Sequence, residues 1–378
     1  MYIKSIELHS FRNHRNTIAE FINGTNILVG ANAQGKTNLL EAIYLSCVGR
    51  GWRAARDIEM VSFNESTATV KTTTTKKFGD ITVSVKLGGG NKKSISINGI
   101  PISKVGELMG NIPCVFFSPD ELRLIKDAPA DRRRFLNIDI SQIDKSYFYA
   151  LIRYNKILSQ RNAYLKSLPV SAVGTHSPKS DDLRGLALWD EQLVNIGTIL
   201  INKRIEFVNK LNPYLIDVHN YLTKNAENIT FSYVFCGFDD SEEVINNTDN
   251  IGNYFIKQLQ TAREKDLRLR TTTVGPHRDD LKIEINERDI RTYGSQGQQR
   301  TTALAIKIAE MQLFGDITGE KPILLLDDVF SELDSKRQRR LLTFIKNAQT
   351  IITTTETPAP LSGGDVKIFN IKGGKIIY

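Results

Sequence analysis

The sequence predicts an α/β fold in which mixed sheets surround one helix that follows a glycine-rich loop, with a helical arm domain inserted in mid-chain. Three observations predict it. Short segments of alternating polarity occupy residues 1–118 and return after residue 270, and the stretch between them, 119–269, has a helical texture. A strand runs through a glycine loop into a helix in the first part. An apolar strand ending in two aspartates lies in the last part. The expected domains are 1–118 and 270–378 as two parts of one discontinuous domain, with 119–269 as the arm.

The amino terminus, MYIKSIELHSFRNHRN, alternates apolar and polar residues as a half-buried strand does and lacks the apolar core of a signal peptide. TNILVG is a second strand, and NLLEAIYLSC, Asn38 to Cys47, is the helix after the glycine loop. ATVKTTTT and DITVSVKL read as further strands, LGGGNKK as a turn and SISINGIPIS as a hairpin. In the arm, Leu136, Ile143, Ala150, Ile157 and Tyr164 recur at sevenfold spacing with Ile140, Tyr147 and Tyr154 between them, and Leu186, Leu193, Leu200 and Phe207 repeat the pattern. These stripes predict paired helices joined by SLPVSAVGTHSPKSDD, with Pro213 expected to end the second. The chain closes on a hairpin-like IFNIKGGKIIY.

At ~100–200 residues per domain, 378 residues allow two or three domains. With 40% hydrophobic and 24% charged residues, the composition is that of a globular protein rather than a disordered, collagenous or membrane-embedded one. No run approaches 18 apolar residues, so no membrane span is expected. A net charge of +8 suits an anionic partner such as nucleic acid. Cys47, Cys114 and Cys236 are far apart and odd in number, which offers no disulfide framework or zinc knuckle and points to a reducing cytoplasm.

Gly30-Ala31-Asn32-Ala33-Gln34-Gly35-Lys36-Thr37 matches GxxxxGK[ST]. Glycines let the backbone curl so that consecutive N–H groups face phosphates, and the helix amino terminus adds positive potential. Lys36 is placed to neutralise β/γ charge and Thr37 to ligate Mg²⁺, so ATP and Mg²⁺ are the expected cofactors. Pro322-Ile323-Leu324-Leu325-Leu326-Asp327-Asp328 is an apolar run whose carboxyl end, in a parallel sheet, lies beside that loop. Asp327 is expected to hold the Mg²⁺ through water and Asp328 to act as the catalytic base that orients the attacking water. Acidic residues after a strand also cap following helices, but the coupling to the phosphate loop favours function.

Tyr293-Gly294-Ser295-Gln296-Gly297-Gln298-Gln299-Arg300 opens a helix whose Leu304, Ile308, Met311 and Phe314 form one stripe. Such a turn is a second phosphate cradle, which one subunit can present to a nucleotide held by another. Ser295, Gly297 and Gln298, with Asp334 from the Ser331-Glu332-Leu333-Asp334 stretch, are the expected contacts in trans. In this order the motifs match the plan of ABC-type P-loop ATPases, which transporter subunits, SMC proteins and the RecF family share.

FRNH at 11–14, GANAQGKTNLLEAI, FFSPDEL, RRRFLN, VGPHRDDL, GSQGQQRT and LLLDDVFSELD narrow the choice. On these segments the chain resembles the RecF family of SMC-like ABC ATPases over nearly its whole length. The span between Lys36 and Ser295 is too short for SMC arms and lacks the CxxC zinc hook of double-strand-break repair relatives. The resemblance implies a weak, DNA-stimulated ATPase of the cytoplasm and nucleoid. It implies a homodimer formed on ATP that binds DNA at gaps or single/double-strand junctions and, with RecR and RecO, helps RecA to load. It also implies that His277 and Arg278 lie near the nucleotide or the dimer interface.

Transporter-type ATPases carry a glutamine loop and a switch histidine where this chain has Ser118-Pro119-Asp120 and Ile352-Thr353-Thr354-Thr355, so slow hydrolysis is expected. Arg132, Arg133 and Arg134, and Arg50, Arg53 and Arg56 around Trp52, are the candidate DNA contacts, although a solvated face is the default reading of either cluster. Two other functions fit the motif order: the ATP motor of an uptake or export system, and an ATPase attached to a nuclease. Basic charge and the missing histidine oppose the first. No carboxylate or histidine cluster beyond the nucleotide motifs supports the second.

Overall fold

The alternating amino-terminal segments form an antiparallel sheet. The structure, a computed structural model, describes residues 1–90, 93–168, 180–236, 250–332, 335–345, 348–356 and 365–377. They divide into two units. One comprises Met1–Lys126, Tyr214–Asn228 and Gly294–Tyr378; the other comprises Asp127–Pro213 and Ile229–Tyr293.

In the first unit, β1 (Tyr2–Phe11), β2 (His14–Glu20), β4 (Thr67–Lys76), β5 (Gly79–Gly88), β6 (Ser94–Ile97) and β7 (Ile100–Ile102) form a sheet of order β2-β1-β4-β5-β6-β7. Period-2 patterning puts Ile6, Leu8, Val70, Val83 and Val85 on its buried face. Asn98 (φ 51°) and Gly99 (φ 80°) make the two-residue turn between β6 and β7, the left-handed pair that suits a right-twisted hairpin. The second sheet has order β15-β14-β3-β13-β12-β8, from β3 (Thr25–Val29), β8 (Cys114–Phe117), β12 (Ile323–Asp327), β13 (Thr350–Thr354), β14 (Val366–Lys372) and β15 (Lys375–Ile377). All of its pairings are parallel except β14 with β15. Its central strands β12 and β13 are buried at every position but Thr354, as strands covered on both faces are.

Helix α1 (Lys36–Val48) touches β1, β4 and β5 of one sheet and β8, β12 and β13 of the other. It is buried nearly all round, which is why its sequence carries no polar stripe. The helix Gln296–Thr318, equally buried, packs against β8.

The second unit contains α3 (Pro129–Ile143), α4 (Lys145–Ser167), most of α5 (Ser180–Thr223) and the helix Ile251–Leu269, numbered after a single turn, α2 (Arg123–Lys126), in the first unit. Its antiparallel sheet has order β11-β10-β9, from β9 (Ile229–Val234), β10 (Asp280–Ile285) and β11 (Arg288–Asp289).

The bounds differ from those expected at 118/119 and 269/270. Strand β9 lies inside the stretch of helical texture and pairs with β10 beyond it, so one sheet carries the second unit to Tyr293. The first sevenfold stripe is two helices: Asp144 accepts from Ser146 N (2.8 Å) and Tyr147 N (3.4 Å), capping α4. Pro213 does not end α5, which continues to Thr223. An internal proline costs about 3 kcal/mol, but Leu215, Val218 and Leu222 beyond it are all buried, and their packing outweighs the lost N–H. Most of the expected connection between the paired helices, Pro169–Lys179, lies outside the described residues, as do Asn91 and Lys92 of the glycine turn.

Candidate nucleotide-binding site

Strand β3 ends at Val29 and releases the chain into the loop Gly30–Gly35 at the carboxyl edge of the parallel sheet. Gly35 caps α1 in the left-handed region (φ 112°); a Cβ there would stand 2.7 Å from the Asn13 side chain. A Cβ on Gly30 would stand 2.4 Å from the Ile371 carbonyl. The outside of the loop is braced by the FRNH stretch and the last hairpin. Asn13 Nδ2 donates to Gln34 O (3.1 Å), His14 Nε2 to Gly35 O (3.0 Å) and Gly374 N to Gln34 O (2.8 Å). Burial pushes the His14 pKa down, with its hydrogen bonds to the backbone opposing.

Inside the loop, Lys36 Nζ donates to the carbonyls of Gly30 and Ala31 (2.5 and 2.9 Å). Its pKa is lowered by burial, with Asp328 and Asp327 opposing. Parallel pairing aligns the ends of β3, β12 and β13, bringing Thr37, Asp327 and Thr353 together. Asp327 Oδ1 accepts from Thr37 Oγ1 (2.7 Å) and Thr353 Oγ1 (2.8 Å). Asp328, at φ 53°, donates its N–H to Thr353 Oγ1 (2.9 Å). Together these residues line a cleft of about 340 Å³, bordered also by Arg53, Pro119 and Thr355.

Arg53 Nη2 lies 3.4 Å from Asp327 Oδ2. Its neighbour Trp52 packs on Phe116 (centroids 4.1 Å) and Tyr44 (5.4 Å), and fully buried Glu41 accepts from both Arg53 N (3.2 Å) and Arg12 Nε (2.9 Å). Arg53 thus edges the cleft while its side chain stays about half exposed (48%). Arg56 is exposed and pairs with Glu59 (3.4 Å).

Ser295, Gly297 and Gln298 do not line the cleft. Ser295 caps the helix Gln296–Thr318 in a capping box: its Oγ accepts from Gln298 N (3.2 Å), and its N–H donates to Gln298 Oε1 (2.8 Å). The Ser295 side of the turn is exposed to solvent. Asp334 lies outside the described residues.

In the second unit, Arg132 is 3% exposed and grips Asp280 with two bonds (2.6 and 2.9 Å) while donating to Asp127 O (2.9 Å). This expected DNA contact is a buried strut, because its fork is consumed by a carboxylate of the same unit. Arg133 donates to Asp279 O (2.9 Å) and is half-buried; Arg134 is exposed. His277 sits between Tyr154 OH (2.8 Å) and Thr272 O (3.0 Å), and burial pushes its pKa down to about 4. Arg278 is exposed.

The RecF/RecN/SMC N terminal domain family matches residues 2–363. The DNA replication and repair protein RecF of Clostridium perfringens (strain SM101 / Type A) is 40% identical over 378 residues, covering 100% of this chain and 99% of that one. The chain belongs to the RecF family. RecF of Lachnospira eligens is likewise 40% identical over 379 residues. Membership places the chain among DNA replication and repair proteins. A solved structure described as the recombination mediator protein RecF-ATP in the RecFOR pathway aligns at TM-score 0.88 and 36% identity, covering 100% of this chain and 97% of that one. An SMC head bound to the C-winged helix domain of ScpA aligns at TM-score 0.57 and 16% identity and shares the fold. Among the described residues no helix is long and apolar enough to cross a membrane.

Within the RecF-family site, motif reading missed the second holder of Asp327, Thr353, and the Arg12–Glu41–Arg53 chain. A threonine at a strand end and an arginine in a loop carry no local pattern; only strand register and aromatic packing bring them to the cleft.

Proposed function

We propose that the chain is an ATP switch that closes on DNA. Two protomers sandwich ATP between the phosphate loop Gly30–Thr37 of one and the Ser295–Gln298 turn of the other, forming a dimer that binds gapped duplex or single/double-strand junctions. RecR and RecO are its partners and RecA loading its outcome, in line with the RecFOR pathway named for the solved relatives. The observation that carries the ATP-site reading is the convergence of the Thr37 and Thr353 hydroxyls on one oxygen of the Asp327 carboxylate beside a phosphate loop.

Nucleotide phosphates bind against the loop N–H groups and the amino terminus of α1. Lys36 Nζ, parked on two loop carbonyls, exchanges those acceptors for phosphate oxygens. Thr37 Oγ1 and Asp327 Oδ1, a hydroxyl and a carboxylate 2.7 Å apart, are the hard oxygen donors that Mg²⁺ favours and would hold it. When bound, the ion neutralises phosphate charge. Asp328 then orients the attacking water and accepts its proton. Thr353 has one hydroxyl proton, donated to Asp327, and offers no titratable group where transporter motors place histidine; slow hydrolysis is the consequence, and its weak stimulation by DNA is what the family resemblance implies. The +8 charge supports an anionic partner.

Sedimentation with and without ATP and gapped duplex DNA tests the proposal. The expected result is a monomer that becomes a dimer with ATP and binds DNA more tightly as it does so. An ATP-bound monomer with unaltered DNA affinity would sink it.

A further inference from the structure

Glu227 lies outside every motif in the sequence, yet its carboxylate touches the exposed turn. Gln298 Nε2 donates to Glu227 Oε1 at 3.0 Å. The other end of the same amide, Oε1, accepts from Ser295 N at 2.8 Å, and Gln298 N donates to Ser295 Oγ at 3.2 Å. These contacts depend on one another. A primary amide has one accepting and one donating end, whereas a carboxylate only accepts. Glu227 therefore draws the NH₂ of Gln298 to itself and leaves Oε1 facing Ser295 N. The flipped amide would set two donors against each other and open the capping box.

Glu227 is itself held in place. Its stretch, Tyr214–Asn228, belongs to the same unit as the Ser295 turn. Tyr214 OH donates to Asp316 near the far end of the helix that Ser295 caps, so the stretch is tied to both ends of that helix. Tyr221 meets Phe344 at 5.0 Å, and Arg340 donates to Leu222 O, which ties the stretch to the helix Ser335–Phe344 after the aspartate strand. Fully buried His219 sets its Nε2 3.5 Å from Glu227 Oε2.

We infer that Glu227 is a positioning residue for the Ser295–Gln298 turn: by fixing the amide of Gln298 it holds Ser295 and Gly297 in the geometry offered to the second protomer's nucleotide. The inference rests on the ATP-sandwich reading.

The test measures monomer nucleotide affinity by titration and the ATP-induced dimer by sedimentation, on the full chain. Glu227→Ala is expected to bind nucleotide as the parent does while its dimer dissociation constant rises about tenfold. Glu227→Gln, whose amide oxygen still accepts from Gln298 Nε2, recovers most of that loss; Glu227→Lys, which presents only donors, loses as much or more. In a Gln298→Ala background, Glu227→Ala adds nothing. Parent-like dimers in both Glu227→Ala and Glu227→Lys, or an undiminished Glu227→Ala effect in the Gln298→Ala background, overturn the inference. A parent protein that does not dimerise with ATP overturns the sandwich reading first, and the parent control reports that separately.

Discussion

The hydroxyl of Thr37 donates to Asp327 Oδ1 at 2.7 Å, joining residues 290 positions apart in the chain. One belongs to the phosphate loop and the other to the end of β12, and the central strand β13 supplies Thr353 to the same oxygen. The contact sets what each part of the site does when it is removed.

Lys36→Ala removes the ammonium that the proposed site sets against the β/γ phosphates. ATP affinity is expected to fall by at least about a hundredfold, from loss of a charge-assisted bond in a shielded loop, and ATP-induced dimerisation to vanish with it. An unchanged affinity in a nucleotide titration would remove the phosphate-loop assignment.

Asp328→Asn keeps the shape of the side chain and the N–H bond to Thr353 but loses the carboxylate proposed to accept the water's proton. Nucleotide binding is expected to persist while hydrolysis falls by about 10²-fold or more, leaving the dimer trapped with ATP. Single-turnover hydrolysis at the parent rate would show that the base lies elsewhere.

Ser295→Arg puts a bulky cation where the capping serine now stands. Because Ser295 does not line the cleft of its own protomer, monomer ATP affinity should stay within about twofold. The ATP-induced dimer, hydrolysis and ATP-stimulated DNA binding should disappear together. Sedimentation of that variant as an ATP dimer would defeat the action in trans.

Arg132→Ala leaves Asp280 without the fork that holds it and empties a buried site. The expected loss is about 3 kcal/mol of stability in denaturant unfolding, with any DNA-binding defect no larger than the unfolded fraction explains. A stable variant that has lost DNA affinity alone would return Arg132 to the DNA surface.

His277 makes stability pH-dependent with a definite sign. Its pKa is pushed from 6.5 down to about 4, chiefly by burial, so the unfolded chain takes up a proton that the folded chain refuses. The contribution is complete above about pH 6.5 and is lost as pH falls towards 4, by at most about 3 kcal/mol. His14 and His219 are shifted the same way by burial, so the comparison must be with His277→Gln. Unfolding of that variant should show a shallower decline across the window; an identical decline would mean that His277 does not titrate this way.

The nucleotide cleft was legible in the sequence because its parts are local. Eight consecutive residues make the loop, and an apolar run with two aspartates can only be a buried strand whose end is polar. The helix opening at Ser295 was legible for the same reason, whereas the capping box that closes it, with bonds spanning three residues, emerged only in the structure. The arginines were not: Arg53 and Arg132 look alike in a sequence, and only aromatic packing around Trp52 and the approach of Asp280 decide that one edges the cleft and the other is buried.

The sequence by itself determined the ATPase plan, the family and the phosphate-loop motif, because a backbone cradle for phosphate demands specific residue types at fixed short spacing. Tertiary structure alone decided that α5 passes through Pro213, that β9 pairs with β10 across an intervening helix, and that Glu227 reaches Gln298. In each case burial or hydrogen bonding between segments far apart in the chain outweighs the local preference, and such pairings leave no periodic trace in either segment alone.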